Sequence, residues 1–184
     1  MRRQVPAAAV AVRRAVVAMV VTLVAGSFDA RPVGAASDRP REWPRLHVSD
    51  PVAHFVAREG LDEAWELLAQ GDCAALLSEF RGVTSAPLAD HLARWSIDPQ
   101  TYLTTVVFVD WEHDPRCGDG TFAYTSPGSR VVRLCVDELK RGRRFGPRHA
   151  AVRLIHEMLH TLGLGENPPS SKAITDRVVA ACRR

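Results

Sequence analysis

Two histidines and a glutamate are the residues of this chain best spaced to do chemistry together. They lie in the run RLIHEMLHTLGLGENPP, Arg153 to Pro169. His156 and His160 are four positions apart, so a helix stacks both imidazoles on one face, one turn apart. At that spacing both rings can reach a single zinc ion at about 2.0–2.1 Å. Glu157 follows the first histidine and leaves the helix at a different angle, which suits contact with a water beside the ion. Zinc lowers the pKa of bound water toward about 7, and an adjacent carboxylate can then take the proton. This is the physical content of the HExxH pattern. The expected cofactor is therefore Zn2+, the expected ligands include His156 and His160, and Glu157 is the expected general base. A third ligand has two candidates. Glu166 follows Gly163, a residue that can end the helix in a left-handed turn. Asp176 lies further on, in a segment with its own helical pattern.

The longer string His156-Glu-x-x-His160-x-x-Gly163-x-x-Glu166 resembles the extended zinc motif of the metzincin branch of zinc metallopeptidases. In that family the helix stops at the glycine and a third ligand three residues later swings back to the metal. Glu166 stands where the family usually has histidine, or aspartate in some secreted bacterial enzymes. No methionine follows the motif, so the methionine turn of metzincins is absent. The stretch from about residue 154 to 172 is also similar to the C-terminal signature of a group of small exported bacterial metallopeptidases. Asp176 would instead correspond to the acid that gluzincins and aspzincins take from a second helix. The resemblance implies a minimal zincin-like α+β domain: a small mixed sheet with a β-hairpin packed on the active-site helix. It further implies hydrolysis of peptide bonds, with the substrate extended along an edge strand beside the helix. The rival reading is a secreted binding or structural module in which His156, His160, Glu166 and Asp176 close around a non-catalytic zinc.

The elements that must position these residues follow from periodicity and turn chemistry. Apolar spacing predicts helices over about 61–70 and 72–80, with Gly60 and Gly71 as punctuation, and a short one over 87–95. TYLTTVVFVDW, residues 101–111, is rich in β-branched and aromatic residues and predicts a strand. TFAYT (121–125), the turn SPGS (126–129) and RVVRLCV (130–136) predict a hairpin. TFAYT is the candidate substrate strand. Gly146-Pro147 opens the amphipathic helix of the motif, and Ser170 or Ser171 caps a last helix through Cys182. KRGRR, Lys140 to Arg144, reads as a solvated loop. Asp110, Glu112, His113 and Asp114 read the same way, with an oxygen-rich calcium site as the alternative. Tyr124 and His149 are candidate oxyanion donors for which ordinary structural roles are preferred.

The first 36 residues form a separate regime: a basic start, the apolar run Ala15 to Gly26, then PVGAAS. The run is shorter than the about 20 residues a membrane span needs and suits a secretory signal peptide. Residues 37–50 read as an exposed lead-in and 51–184 as the domain. The chain carries 24 Lys+Arg and 21 Asp+Glu, and removal of five arginines and one aspartate with the leader leaves a net charge of −1. That balance gives no reason to expect nucleic acid. The expected partner is a peptide or protein substrate, the expected state a monomer, and no membrane anchor remains after cleavage. Export to the periplasm or beyond makes two disulfides the expected fate of the four cysteines. Cys117–Cys135 is favoured because a hairpin separates them, and Cys73–Cys182 follows.

Overall fold

The computed structural model describes residues 42–111, 114–118 and 120–183. The expected signal peptide, Glu112 and His113 lie outside them.

Helix α1 (Pro51–Leu68) begins at Asp50, whose carboxylate accepts from the N–H groups of Val52 and Ala53 at 2.9 and 2.8 Å. Pro51 takes the first helical position, where its missing N–H costs nothing. The helix starts ten residues before the expected one and runs straight through Gly60. The reason is packing. Gly60 lies where α1 crosses α6 (Pro147–Thr161), and a Cβ placed there would sit 2.6 Å from Ala150 Cβ. The glycine permits a close helix contact; it does not break the helix.

Helices α2 (Gly71–Glu79) and α3 (Leu88–Trp95) fall where the periodicity put them. The expected strand 101–111 is divided. Its first part belongs to helix α4 (Pro99–Thr104), and strand β2 covers Val107–Asp110 alone. Asp98 explains the difference: its side chain accepts from Thr101 N–H at 2.7 Å, and Pro99 supplies a helical φ at the first position. This cap overrides the β propensity of the Thr and Tyr residues that follow.

Strand β1 (Arg45–His47) lies inside the stretch expected to be an exposed lead-in. Strands β3 (Ala123–Tyr124) and β4 (Val131–Leu134) form the expected hairpin. Sheet order is β1-β2-β4-β3, with β1, β2 and β4 parallel and β3 antiparallel at one edge. Register places Phe108, Val132 and Leu134 on one face, all fully buried, and Val109, Arg133 and Tyr124 on the other. The buried face meets the helices, with β3 and β4 against α6. The fold is α+β.

The KRGRR run is not a loop. Helix α5 (Val136–Gly142) and a single 3-10 turn (Arg143–Phe145) contain it, with its four basic side chains exposed. Asp137 and Glu138 in the first turn and Lys140 and Arg141 in the last complement the helix dipole. The last helix, α7 (Ser171–Ala181), is capped by Ser170, as expected.

Both expected disulfides are present. Cys117–Cys135 closes over the hairpin and Cys73–Cys182 ties the end of α7 to α2. Two such bonds fit an oxidising, extracellular environment. Among the described residues no helix is long and apolar enough to cross a membrane.

The α1–α6 crossing has a measurable consequence. Gly60→Val should cost about 1–3 kcal/mol in urea unfolding, through overpacking against Ala150 and Leu154. Gly71→Ala, with nothing within 4 Å of the added atom, should stay within about 0.5 kcal/mol of the native chain.

Candidate metal centre

Helix α6 is buried nearly all round. Ala151, Leu154, Ile155, Met158 and Leu159 enter the core, while His156, Glu157 and His160 are 4%, 7% and 4% exposed. With Thr161, the helix buries four polar side chains, and each needs partners.

Termination of α6 supplies the first. Gly163 has φ 101°, a left-handed conformation that favours glycine. Its N–H donates to His160 O at 2.8 Å, and Leu164 N–H donates to Leu159 O at 3.1 Å. This is the Schellman pattern, with buried Leu159 and Leu164 as its apolar partners. The reversed chain then offers Leu164 O to His160 Nδ1 at 2.7 Å. A carbonyl only accepts, so His160 carries its proton on Nδ1 and turns the Nε2 lone pair outward. The turn is held from two sides: Gly128 N–H donates to His160 O, and Val83 N–H to Gly163 O, both at 2.9 Å.

His156 is fixed from α7, where Thr175 Oγ1 lies 3.0 Å from its Nδ1. Ile174 and Val178 anchor that helix in the core, the Cys73–Cys182 bond holds its end, and Arg148 bonds the Cys182 carbonyl. Burial, then the neighbouring His160 and Arg153, pushes the His156 pKa down to about 3. Its ring is therefore neutral near pH 7, the form in which imidazole binds metals.

The two Nε2 atoms face each other at 3.0 Å, and Glu166 Oε1 lies 3.3 Å from His160 Nε2 and 3.7 Å from His156 Nε2. Ligands about 2.0–2.1 Å from a tetrahedral ion stand roughly 3.3 Å apart. The three separations observed bracket that figure, so the donor set fits a metal ion. Among the described residues, His156, His160 and Glu166 are the group that could hold one. Asp176, the alternative third ligand, does not join them; it pairs with Lys172 at 2.6 Å on an exposed side of α7.

Glu157 is next to this group without belonging to it. One of its oxygens accepts from Thr125 N–H, while Oε2 is buried with no hydrogen-bond partner among the described residues. Burial foremost, then the charge of Glu166, pushes its pKa up to about 8, against the lowering effects of Arg153 and the Thr125 N–H. Glu157, His156, His160 and Glu166 share the wall of a cleft of about 350 Å³ whose opposite side is the chain from Thr121 to Thr125. TFAYT thus lines the site, and β3 is a true sheet edge. Phe122 O accepts from Cys135 N–H on the β4 side. Strand alternation then turns the N–H and C=O of Ala123 toward the open edge.

The other candidates have separate roles. Tyr124 O–H donates to Asp114 Oδ2 at 2.6 Å, and Arg116 grips the same carboxylate at 2.8 and 3.0 Å. These bonds, Arg116 first, hold the Asp114 pKa well below the ordinary carboxylate range. Asp110 accepts from Ser49 N–H at 2.6 Å. His149 packs against Phe122 and Phe145, away from the metal group. Sequence reasoning missed the supports, Thr175, Leu164 O and Thr125 N–H. A threonine on an amphipathic helix and two main-chain groups carry no signal of their own.

Comparison with protein-family models, curated proteins and solved structures finds no match to this chain. Geometry and donor chemistry alone carry the functional reading.

The role of Thr175 is open to direct measurement. If the group holds a metal ion, Thr175→Val should weaken the binding of an added divalent ion such as zinc about 10- to 100-fold in competition with a chromophoric chelator, the usual effect of losing a partner behind a ligating histidine. Thr175→Ser should restore most of it. Equal affinity in all three chains would show that the hydroxyl does not orient His156.

Proposed function

We propose that this chain is an exported, zinc-dependent metallopeptidase of zincin type. The observation that carries the reading is Glu157: a buried carboxylate with an unpartnered oxygen, on the wall of a cleft shared with a three-donor metal group. A purely structural zinc would be closed by four protein ligands, whereas a catalytic one keeps a position open. Three donors, with Asp176 engaged elsewhere, favour the open arrangement. Two imidazoles and a carboxylate are a donor set typical of catalytic zinc.

His156, His160 and Glu166 would hold the ion. Zinc bound there supplies Lewis acidity, which makes water a usable nucleophile near neutral pH and polarises a carbonyl. The chain's own residues do the rest. Glu157 takes the proton of the attacking water at Oε2 while Thr125 N–H holds its other oxygen in place. It returns that proton to the amine nitrogen as the C–N bond breaks. A cation held beside Glu157 would favour its ionised form, and burial makes that carboxylate a stronger base than one in water. The open edge at Ala123 offers main-chain groups to an extended peptide, which would lie along β3 across the cleft. The apolar run at the N-terminus and the two disulfides support export.

The test is a pair of substitutions. Glu157→Gln should retain about one zinc per chain and lose peptide cleavage by roughly 10²- to 10⁴-fold, the usual range for a general base. His160→Ala should lose both metal and activity. Undiminished cleavage by Glu157→Gln would overturn the mechanism.

A further inference from the structure

A second cavity, of about 180 Å³, adjoins the metal cleft and shares Thr121, Ala123, His156, Glu157 and Ser171 with it. What it adds is Gly120, Phe122 and, above all, Arg153. Arg153 sits three residues before His156 and four before Glu157, so α6 presents it on the same face, one turn toward the N-terminus. Its side chain is half-buried. Among the described residues it forms no ion pair, not even with Glu157 at the favourable four-residue spacing. Its charge is nevertheless felt at the site, where it opposes protonation of both His156 and Glu157.

A half-buried guanidinium with no ion-pair partner among the described residues is well placed to take one from a ligand. The remaining polar walls are the hydroxyls of Thr121 and Ser171, which can also donate. Among the described residues Glu157 is the one acid on the wall, and Arg153 offsets its repulsion of a second negative group. An apolar side chain entering here would strip water from Arg153 and return nothing. A lysine or arginine would meet like charge. A carboxylate matches the forked donors of guanidinium and the hydroxyls beside it.

We propose that this cavity is a carboxylate subsite, with Arg153 as the counter-charge for an acidic group of the substrate next to the bond that is cut. The assignment rests on the peptidase reading. The carboxylate has two sources, an aspartate or glutamate side chain or the free C-terminus of a peptide.

Binding separates this proposal from the activity. The zinc-loaded, oxidised chain carrying Glu157→Gln would be titrated with fluorescent hexapeptide pools bearing Glu, Gln, Leu or Lys at each scanned position. Every pool would be made with a free and with an amidated C-terminus. The Glu pools, or all free-acid pools if the chain end is the source, should bind about 10- to 100-fold tighter than their neutral counterparts. Adding Arg153→Gln should abolish that preference while zinc binding is retained, which shows that the chain is still folded. Tightest binding of Leu or Lys pools, a preference that survives Arg153→Gln, or no binding of any pool overturns the subsite. Cleavage of the same pools by the chain with Glu157 intact reports on the peptidase reading separately. Arg153-dependent binding without any cleavage keeps the subsite and sinks the peptidase; cleavage indifferent to Arg153 does the reverse.

Discussion

Two imidazoles buried with their Nε2 atoms 3.0 Å apart are the arrangement to which most of this structure answers. When both rings carry their protons on Nδ1, two lone pairs and a carboxylate oxygen converge on one point, and only a cation makes that favourable. Holding the rings there requires control of the opposite nitrogens. Leu164 O does this for His160, and it is available because Gly163 reverses the chain within one residue of the helix end. Thr175 does it for His156, and it is available because α7 is pinned into the core and bonded to α2. The remaining elements brace these two supports. The hairpin turn holds the end of α6 through Gly128, the loop at Val83 holds Gly163, and α1 presses the whole helix inward through Gly60.

The same burial gives the site its polarity. Glu157 and Arg153 lie on one helical face, a turn apart, yet do not neutralise each other. Among the described residues each is left with capacity unused: an oxygen without a donor on one, a guanidinium without an ion pair on the other. Between them runs an edge strand with outward main-chain groups. The cleft therefore has open main-chain groups along one side and ionisable side chains along the other.

The parts of this arrangement that were legible in the sequence are those encoded locally. The helix of the motif, its glycine stop, the hairpin around SPGS and the capped last helix all follow from a few adjacent residues, and the structure has them. The disulfide pairings followed because the hairpin brought one pair together and left the other. The misreadings came where a local signal was outweighed. Residues 101–104 have β-prone side chains, but the Asp98 cap and Pro99 start a helix first. Gly60 reads as a break until Ala150 is known to lie against it. KRGRR is solvated as its charge implies, yet helical, because Asp137 and Glu138 precede it in the first turn. Arg45–His47 is a strand because β2 offers it a parallel partner, which no pattern within three residues reveals. Thr175 could not be found at all, since its role exists only in three dimensions.

The bond between Cys73 and Cys182 joins residues 109 positions apart. The donors themselves are close in sequence, but the helix that steadies His156 lies downstream of them and is fastened to α2 by that bond. A chain whose thiols are still reduced has His156, Glu157 and His160 on one helix without the fastening that keeps Thr175 against His156. Completion of the centre is thereby coupled to oxidation of the thiols, which makes the site a property of the oxidised molecule.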